Sequence, residues 1–359
     1  MEKGNSCYCV IMAGGIGSRF WPLSRKERPK QFIDILGTGK TFIRQTYERF
    51  LPLVPPENFL VVTSDQYKKL VLEELPELKE EQVLCEPVRR NTAPCIAYAA
   101  HRIAATAPQA TMIVAPSDHL ITNEHEFIRI LKEAVEFTEK NDVLMTIGIK
   151  PNRPETGYGY IQINNNDSGN PIYKVKTFTE KPNEELAKLF VESGEFFWNS
   201  GIFIWSLDSI IHAFEKHIPE IDTIFEEGAD IYCTEKEQEY INSVYPECRN
   251  ISIDYGIMEH AENVYVYCAD FGWSDVGTWR SLFIHSKKDE NNNAVVTGKT
   301  HLVNTSNCLI KLAGNKSAII EGLDNYIIAD SGDILLICNR DKEQEIRNYS
   351  EQIEIQEGK

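Results

Sequence analysis

Apolar residues in the first half of the chain recur at two periods that alternate along the sequence. Short continuous apolar runs predict strands at residues 8–12, 59–62, 111–115 and 143–149. Apolar residues at helical spacing predict helices at residues 42–51, 66–75, 92–107 and 126–140. Strands that alternate with helices are typical of a parallel sheet covered by helices. This half of the chain therefore predicts a Rossmann-like α/β fold.

The pattern changes at Pro151, where turns rich in glycine and tyrosine separate shorter strands. Residues 157–163 and 173–179 predict an antiparallel insertion over the ligand-binding edge of the sheet, which makes the sheet mixed but mainly parallel. Asn183 is the expected cap of a helix over residues 183–193. The acidic segment at residues 220–246 is expected to be helical and to present a solvated face.

A second change in pattern follows residue 290. Residues 291–293 are three asparagines that predict a linker. Residues 294–338 hold short apolar runs separated by Gly, Asn, Ser and Asp, which predicts a small all-β module before a charged tail at residues 341–359. We therefore predict a catalytic domain at residues 1–290 and a C-terminal β module with its tail at residues 291–359.

The first predicted strand ends in a glycine-rich loop that is followed by positive charge. The loop contains Gly14, Gly15 and Gly17, and the cations after it are Arg19, Arg25 and Lys30. Glycines let several main-chain N–H groups point at one set of phosphate oxygens, and arginine and lysine supply fixed positive charge. The loop therefore predicts a phosphate-binding site.

Three other interpretations of this stretch fit it less well. A dinucleotide-binding fingerprint needs a third glycine where Phe20 stands, and a nucleotide-triphosphatase P-loop ending at residues 39–41 needs a glycine where Asp34 stands. A glycine turn with surface cations accounts for the glycines but not for the added arginine and lysine. A phosphate site of another family fits the whole stretch better.

The charge, the apolar runs and the cysteines of the chain limit which partners and which cellular compartment are expected. The net charge of -17 argues against general nucleic-acid binding, because a polyanion needs a basic face. No charged start precedes a long apolar run, and no run of about 18 apolar residues occurs, so a cytoplasmic protein without a membrane partner is expected. The nine cysteines form no C-x-x-C pair and are expected to be reduced and structural.

Two aspartates are candidate ligands for a divalent cation. Asp118 follows the strand predicted at residues 111–115, and Asp275 lies in a turn-like run between two tryptophans. Mg²⁺ prefers hard oxygen ligands and usually keeps waters and substrate phosphates. Spacing alone does not bring the two aspartates together, and a helix-capping role for Asp118 is the alternative. Glu180 and Lys181, at another strand end, are either a surface ion pair or a substrate-binding pair.

Taken in order, these motifs resemble those of the sugar-1-phosphate nucleotidyltransferases. After the glycine loop come NTAP at residues 91–94, PSDH at 116–119, TGYGYI at 156–161, FTEKP at 178–182, NSGIF at 199–203 and SDVGTW at 274–279. PKQF at residues 29–32 is most similar to the mannose-1-phosphate guanylyltransferases of that family. The region after residue 293 is similar, more loosely, to the short left-handed β-helix extension of the family.

The resemblance implies a role for each motif. It implies nucleotide binding by Ala13, Gly14, Gly15, Gly17, Ser18, Glu86, Asn91, Thr92, Pro116 and Ser117. It implies sugar-phosphate binding by Gly157, Tyr158, Glu180, Lys181 and Asn199, and metal binding by Asp118 and Asp275. Arg19, Lys30 and Lys181 are the implied catalytic residues, which act through their charge.

The implied reaction transfers a guanylyl group from GTP to mannose 1-phosphate with the help of Mg²⁺, giving GDP-mannose and pyrophosphate. A phosphate monoester has a second pKa of about 6, so the attacking oxygen is already mostly ionised at neutral pH and needs no general base. Positioning and charge neutralisation are then the expected sources of catalysis. The small β module cannot bury a large core by itself, so we expect it to pack against the catalytic domain or a second subunit, and we favour a homodimer.

Two alternatives stay open at this point. A nucleotidyltransferase for another base or sugar, such as a thymidylyl or uridylyl enzyme acting on glucose 1-phosphate, would share the loop, the lysines and the aspartates. A non-catalytic sensor of the same fold would be expected to lose charged motif residues, and the chain keeps Arg19, Asp118, Lys181 and Asp275.

Overall fold

The computed structural model describes residues 6–15, 18–163 and 169–356. The described residues divide into two compact units, each built from separate stretches of the chain. The first unit lies within residues 1–14, 46–117 and 121–273, and the second lies within residues 15–45, 118–120 and 274–359. The chain therefore changes unit inside the glycine loop and inside the PSDH motif. Gly17 is outside the described residues.

The strands of the described residues are labelled in chain order. They are β1 Cys7–Met12, β2 Phe59–Ser64, β3 Val83–Glu86, β4 Thr111–Pro116, β5 Leu120–Ile121, β6 Leu144–Ile149, β7 Tyr160–Ile163, β8 Ile172–Thr179, β9 Phe196–Ser206, β10 Val264–Ala269, β11 Trp273–Ser274, β12 Ala294–Thr297, β13 Lys299–Val303, β14 Leu309–Lys311, β15 Ser317–Glu321, β16 Tyr326–Asp330 and β17 Leu335–Asn339.

The α-helices of the described residues are labelled in the same way. They are α1 Phe42–Phe50, α2 Lys68–Glu74, α3 Thr92–Ala104, α4 Glu124–Thr138, α5 Glu184–Ser193, α6 Leu207–His217, α7 Pro219–Glu226, α8 Glu237–Val244, α9 Trp279–His285 and α10 Ile346–Gln356. A π-helical turn spans Asp254–Met258. The strands and helices predicted for the first half of the chain are confirmed, with ends that shift by a few residues.

The first unit is organised on one large mixed sheet. Its order is β3-β2-β1-β4-β9-β6-β10-β8-β7. β1 is parallel to β2 and β4, β2 is parallel to β3, and β6 is parallel to β10. β9 is antiparallel to β4 and β6, and β8 is antiparallel to β10 and β7. β8 and β9 therefore run against the other seven strands. The prediction of a mixed sheet is confirmed, but its parallel pairs do not outnumber its antiparallel pairs, so the prediction of a mainly parallel sheet is not.

The predicted antiparallel insertion consists of β7 and β8. These strands continue the central sheet at its edge, and β7 also pairs with β9, so they do not form a separate layer over the sheet. Tyr160, Ile161 and Ile163 of β7 are all buried, which is typical of a strand covered on both faces. The expectation of an insertion lying over the sheet was wrong, because β7 and β8 are hydrogen-bonded strands of the sheet itself.

α3 lies at the centre of the main core. Ten of its residues are buried, most of them small, and it packs with apolar residues of the sheet, α6 and α7. Alanine and cysteine side chains let neighbouring backbones approach closely, so the helix can be buried on nearly every side. The first turn of α3 is the NTAP motif, and the core therefore holds that motif in place.

The acidic segment at residues 220–246 is more than a solvated face, which corrects the prediction. Ile221, Phe225, Ile241 and Tyr245 are buried to 0% exposure in the main core. They recur among acidic residues at intervals that place them on the inner side of α7, α8 and the turn after it. The acidic residues indicated only the side of these helices that faces solvent. The side that faces the core carries Tyr245, which contacts Glu86.

The second unit contains the strands after residue 293. β12, β14 and β16 pair in parallel, β17 adds antiparallel to β16, and β13 pairs in parallel with β15. The all-β character of this region is confirmed, while α10 forms the charged tail. The predicted boundary between residues 290 and 291 falls inside the second unit, and the division into two sequence domains stays a prediction.

The predicted linker of three asparagines is an ordered part of the second unit. Asn293 has 1% exposure, donates from Nδ2 to Thr305 O at 2.8 Å and accepts from Cys308 N–H at 3.0 Å. The Asn293 side chain thus gives hydrogen-bond partners to backbone groups of residues 305 and 308, which is a structural role. The linker prediction was therefore wrong at Asn293.

The cysteines agree with the reduced state that was predicted. All nine lie in described residues and are free thiols, and Cys233 is exposed. Burial raises the pKa of the Cys7 thiol to about 12, as expected for a structural cysteine. Within the described part of the chain, no helix has both the length and the apolar surface that crossing a bilayer requires.

Candidate active site

The carboxyl ends of β1 and β4 are joined at one edge of the central sheet. Ser117 N–H donates to Met12 O at 3.1 Å, and Ala13 N–H donates to Val62 O at 2.8 Å, so both N–H groups are engaged in the sheet. Ligands of open α/β sheets bind beyond this end of the strands. The predicted nucleotide residues of this edge are Ala13, Gly14, Pro116 and Ser117.

Glu86, at the end of β3, approaches Gly14 at the same edge. A Cβ atom on Gly14 would lie 3.2 Å from Glu86 Oε2, so glycine leaves room for the carboxylate. Glu86 is buried, and Tyr245 donates its hydroxyl hydrogen to Glu86 Oε1. Burial raises the pKa of Glu86 to about 7, although the Tyr245 hydrogen bond and the charge of Arg89 oppose that rise.

The NTAP motif begins α3 with a left-handed backbone at Asn91. Asn91 has a φ of 68°, and its side-chain oxygen accepts from Thr92 N–H at 3.0 Å. Thr92 Oγ1 accepts from Ile253 N–H at 2.9 Å, directly before the π-helical turn that begins at Asp254. Asn91 therefore acts as a helix cap in this structure, and the nucleotide roles of both motif residues stay predictions.

Asn199, on β9, is held from both sides of its amide. Thr146 donates its hydroxyl hydrogen to Asn199 Oδ1 at 3.0 Å, and Asn199 Nδ2 donates to Asp254 Oδ1 at 2.9 Å. Burial and the nearby charge of Glu180 raise the pKa of Asp254 to about 7, and the Asn199 hydrogen bond opposes that rise. The predicted sugar contact thus belongs to a buried polar network.

Glu180 and Lys181 follow β8 and lie beside the same network. A Cβ on Gly159 would lie 2.5 Å from Glu180 Oε2 and 3.5 Å from Asn199 Cβ, so only glycine fits between them. Lys181 Nζ lies 2.6 Å from Glu180 Oε1, and its side chain is 60% exposed, whereas that of Glu180 is 10% exposed. Lys181 also has a φ of 48°, a conformation that L-residues adopt rarely and mostly where function or packing demands it.

Gly157 and Tyr158 precede β7 in the TGYGYI motif. The Tyr158 ring packs edge-on against Trp198 with 5.3 Å between centroids, and against Trp273 with 5.2 Å. Gly157 N–H donates to Glu155 Oε1 at 3.4 Å. Trp198 precedes Asn199 in β9, and the Tyr158 ring packs against Trp198. An aromatic pair of this kind can contact the apolar face of a sugar ring.

Lys30 is the centre of the charged group in the second unit. Its ammonium nitrogen lies 3.0 Å from Asp118 Oδ2, 2.9 Å from Asp118 O and 2.6 Å from Asp275 O. Its side chain is 5% exposed, with the ammonium 4.9 Å from the Phe42 ring centre and 5.9 Å from that of Phe20. Two aspartates that sequence spacing could not bring together are thus gathered by one lysine.

The donor set of this group fits a magnesium ion. Burial would raise the pKa of the Asp118 carboxyl, but the charges of Lys30 and His119 outweigh burial and hold it below its usual range. Asp275 Oδ1 accepts from Gly277 N–H at 3.1 Å. One or two carboxylates are the protein ligands that Mg²⁺ needs when substrate phosphates complete its coordination. A group of three metal-binding side chains does not occur in the described residues.

The SDVGTW turn is strained in a way that presents Asp275. Val276 is fully buried and has a φ of 41°, which is rare for a β-branched residue. A Cβ on Gly277 would lie 2.6 Å from Asp275 Oδ2 and 3.4 Å from Arg19 Nη1. Arg19 is therefore next to the Asp275 turn, and its catalytic role stays a prediction.

The glycine loop contributes less unusual backbone than the sequence suggested. Neither Gly14 nor Gly15 has a positive φ, and Gly15 O accepts from Gln31 Nε2 at 2.9 Å. Ser18 begins a 3₁₀ turn that spans Ser18–Phe20. Close approach of Glu86, not a left-handed conformation, explains glycine at position 14.

Arg25 does not join the phosphate-binding cations. Its guanidinium donates to both carboxylate oxygens of Asp333, at 2.6 and 2.7 Å, and to Ser331 Oγ at 2.8 Å. A bidentate arginine–carboxylate pair fixes geometry as well as charge. Arg25 therefore fastens the segment after the glycine loop to the C-terminal strands, and the prediction of a third phosphate-binding cation was wrong.

Comparison with known proteins identifies the family. The sequence profile of the nucleotidyl transferase family matches residues 8–292. The chain belongs to this nucleotidyl transferase family. A mannose-1-phosphate guanylyltransferase of Klebsiella pneumoniae is 35% identical over 349 residues, which cover 95% of this chain and 73% of that protein. Alginate biosynthesis protein AlgA of Pseudomonas fluorescens is 36% identical, covering 94% of this chain and 70% of that protein.

A solved structure supports the fold of this nucleotidyl transferase. A crystal structure described as mannose-1-phosphate geranyltransferase from Thermus thermophilus is 30% identical, covers 97% of this chain and 99% of that chain, and superposes with a TM-score of 0.86. The α/β nucleotidyltransferase fold is thereby confirmed. The resemblance to mannose-1-phosphate guanylyltransferases that the PKQF motif indicated is confirmed as well.

The nucleotidyl transferase places its predicted site residues in three groups. Gly14 and Glu86 meet at the sheet edge of the first unit, and Glu180, Lys181 and Asn199 meet beside β7 in the same unit. The remaining group, in the second unit, consists of Arg19, Lys30, Asp118 and Asp275.

Sequence reasoning missed Thr146, Gly159, Tyr245 and Asp254. Gly159 stood inside the quoted TGYGYI motif, and its glycine type in a tyrosine-rich turn was an available signal. Asp254 follows two apolar or small residues outside any of the recognised motifs, and Thr146 is an ordinary strand residue by pattern. Their partners lie far away in the sequence, so these residues needed a structure to be found.

Proposed function

We propose that this nucleotidyl transferase moves a guanylyl group from GTP to mannose 1-phosphate and forms GDP-mannose and pyrophosphate. The observation that carries the proposal is the contact of one buried ammonium group, Lys30 Nζ, with the Asp118 carboxylate and with the backbone carbonyl of Asp275. A cation that brings the two candidate metal-ligating residues together suits the transfer of a highly charged phosphoryl group. The named activity of the Klebsiella relative supports the choice of substrates.

The proposed mechanism relies on charge and position. An oxygen of the sugar phosphate attacks the α-phosphorus of GTP in line, while the bond to the β-phosphate bridging oxygen breaks and pyrophosphate leaves. Asp118 and Asp275 would hold Mg²⁺, which supplies positive charge to the phosphate oxygens when it is bound. Lys30 and Arg19 would offset charge on the triphosphate, and Lys181 would hold the attacking phosphate.

The choice of guanine is supported by Glu86. Guanine presents two adjacent donors, N1–H and the 2-amino group, and a carboxylate accepts from both at once. Uracil and thymine present a single ring N–H between two carbonyl oxygens, and these oxygens would repel a carboxylate. Glu86 lies buried at the sheet edge where the nucleotide motif ends, so it is the proposed base-reading group.

The second unit completes the proposal. We propose that β12 to β16 form a short left-handed β-helix, which the parallel pairing of β12, β14 and β16 and of β13 with β15 supports. The predicted homodimer, cytoplasmic location and absence of nucleic-acid and membrane partners belong to the same proposal. The exposed apolar side chains of Ile319, Leu335 and Ile337 on β15 and β17 favour contact with a second copy.

A grid of substrates tests the proposed activity. Pyrophosphate release is measured for GTP, UTP, dTTP and ATP, each with mannose 1-phosphate and glucose 1-phosphate. We expect the highest kcat/KM for GTP with mannose 1-phosphate, and dependence on Mg²⁺. The Asp118→Asn variant, purified in the same way, controls for contaminating enzymes. If UTP or dTTP with glucose 1-phosphate reacts about ten times more efficiently, the rival assignment to another base and sugar is correct.

A further inference from the structure

Tyr245 is a buried tyrosine from the acidic segment that reaches the end of β3. It begins a 3₁₀ turn after α8, has 0% exposure, and packs edge-on against Phe225 with 5.9 Å between ring centroids. Its hydroxyl hydrogen is donated to Glu86 Oε1, from a position 159 residues away in the sequence. A buried hydroxyl that serves a buried carboxylate is a specific contact, because an unpaired one would cost its full desolvation.

The two oxygens of Glu86 have different surroundings. Oε1 accepts the Tyr245 hydrogen bond inside the core, while Oε2 lies beside Gly14 at the end of β1, 3.2 Å from where a Cβ would stand. A carboxylate held at one oxygen cannot rotate freely about its last bond. The Tyr245 hydrogen bond therefore restricts the orientation of the Glu86 carboxylate.

We infer that Tyr245 is a positioning residue for guanine, which holds the Glu86 carboxylate in the orientation that accepts from N1–H and the 2-amino group. This inference rests on the proposed function, since it assigns the base-reading role to Glu86. Tyr245 does not touch the base in this scheme. It acts through Glu86 alone.

The charge state of Glu86 gives the inference a distinct signature. Burial raises its pKa to about 7, whereas the Tyr245 hydrogen bond and the charge of Arg89 lower it. The Cys85 and Cys95 thiols also interact electrostatically with Glu86, and they stay neutral because burial raises their pKa. Loss of the Tyr245 hydroxyl should therefore raise the pKa of Glu86 further and leave it protonated at neutral pH.

The test compares Tyr245→Phe with Tyr232→Phe. Tyr232 is the matched control, because its buried hydroxyl donates to Phe225 O at 2.6 Å in the same segment without contacting Glu86. For each protein, KM is measured for GTP and for ITP, which lacks the 2-amino group, between about pH 6 and about pH 8.5, with mannose 1-phosphate saturating. Circular dichroism and thermal unfolding show whether both variants fold alike.

The expected result is specific to Tyr245. If the acid dissociation constant of Glu86 falls tenfold in Tyr245→Phe, the ionised fraction of Glu86 at pH 7 falls about fivefold. KM for GTP should therefore rise about fivefold at pH 7. Near pH 8.5 most of the carboxylate is ionised in both proteins, so KM should approach the wild-type value. The wild-type preference for GTP over ITP should shrink in Tyr245→Phe, while Tyr232→Phe should keep both the preference and the pH profile.

Four outcomes would overturn the inference, and a fifth concerns the proposed function instead. The inference is wrong if Tyr245→Phe keeps the wild-type profile, if its KM rises equally at every pH, or if Tyr232→Phe shows the same shift. A Tyr245→Phe protein that does not fold is replaced by Tyr245→Leu, which is smaller and also lacks the hydroxyl, and by Glu86→Gln, and the inference is wrong if Glu86→Gln keeps the GTP preference. If wild type shows no turnover of GTP, the proposed function fails.

Discussion

Lys30 and Lys181 are predicted to differ in what their loss does to stability and to catalysis. The perturbation is the same at both positions, replacement by methionine, which keeps most of the side-chain volume and removes the charge. Lys30→Met should reduce both stability and turnover. Lys181→Met should leave stability almost unchanged and should weaken the apparent affinity for mannose 1-phosphate.

The magnitudes follow from the surroundings of each ammonium group. Lys30 is 5% exposed and has oxygen partners at 2.6, 2.9 and 3.0 Å, so its loss leaves the Asp118 carboxylate and two carbonyls without their cation. Removing one partner of a buried charged pair costs about 3 to 5 kcal/mol. The Asp118 side chain is 34% exposed, so water recovers part of this, and we expect about 2 to 3 kcal/mol.

Lys181 pairs with Glu180 and is open to solvent. Its side chain is 60% exposed whereas that of Glu180 is 10% exposed, so water screens the lysine end of this ion pair, and we expect the pair to contribute about 1 kcal/mol. If the lysine holds the attacking phosphate, its loss removes a charged hydrogen bond to substrate worth about 1.5 to 3 kcal/mol. That energy corresponds to a rise in KM for mannose 1-phosphate of roughly tenfold to a hundredfold.

Two assays separate the effects. Urea denaturation followed by circular dichroism gives the free energy of unfolding with and without Mg²⁺, and pyrophosphate release gives kcat and KM with each substrate varied. Mg²⁺ should restore part of the stability of Lys30→Met, because the ion replaces the missing positive charge beside Asp118 and Asp275. Lys30→Met should lower kcat by about tenfold or more even when it is folded.

Several results would refute this reasoning. Equal losses of unfolding free energy in the two variants would show that the buried and exposed environments are wrongly assigned. A Lys181→Met enzyme with unchanged KM for mannose 1-phosphate would remove Lys181 from the sugar-phosphate site. A folded Lys30→Met enzyme with wild-type kcat would remove Lys30 from the reaction.

Three further predictions concern the metal, the sugar pocket and assembly. Asp118→Asn and Asp275→Asn should each lower kcat by at least about tenfold at limiting Mg²⁺, and near-normal turnover of either folded variant would exclude that residue as a ligand. Wild-type unfolding free energy should fall as pH rises from about 5 to about 7, because folded Asp254, with its pKa raised to about 7, still holds a proton that the unfolded chain has lost. Asp254→Asn should flatten this fall in urea denaturation, and equal slopes would contradict the assignment. Light scattering should give twice the chain mass of 41.0 kDa at micromolar concentration, and a monomer would count against the dimer.

Local pattern was sufficient for the secondary structure of the first half of the chain. Apolar periodicity located the strands and helices of the first half, since the side-chain period of each element is a property of adjacent residues. The ordered motifs selected Lys30, Asp118, Asp275 and Glu180 through their resemblance to a known family, and the roles of these residues stay predictions. The same pattern misjudged residues 220–246, where apolar residues that face the core are outnumbered by acidic ones.

Tertiary structure alone decided which of these residues meet. The insertion of β9 between β4 and β6 and the addition of β8 and β7 at the edge depend on crossovers that no local period records. Lys30 contacts Asp118 and Asp275, which lie 88 and 245 residues away in the sequence. Glu86 contacts Tyr245, which lies 159 residues away. Such contacts depend on strand order, register and burial across the whole chain, because a side chain's pKa and orientation are set by neighbours in space and not by neighbours in sequence.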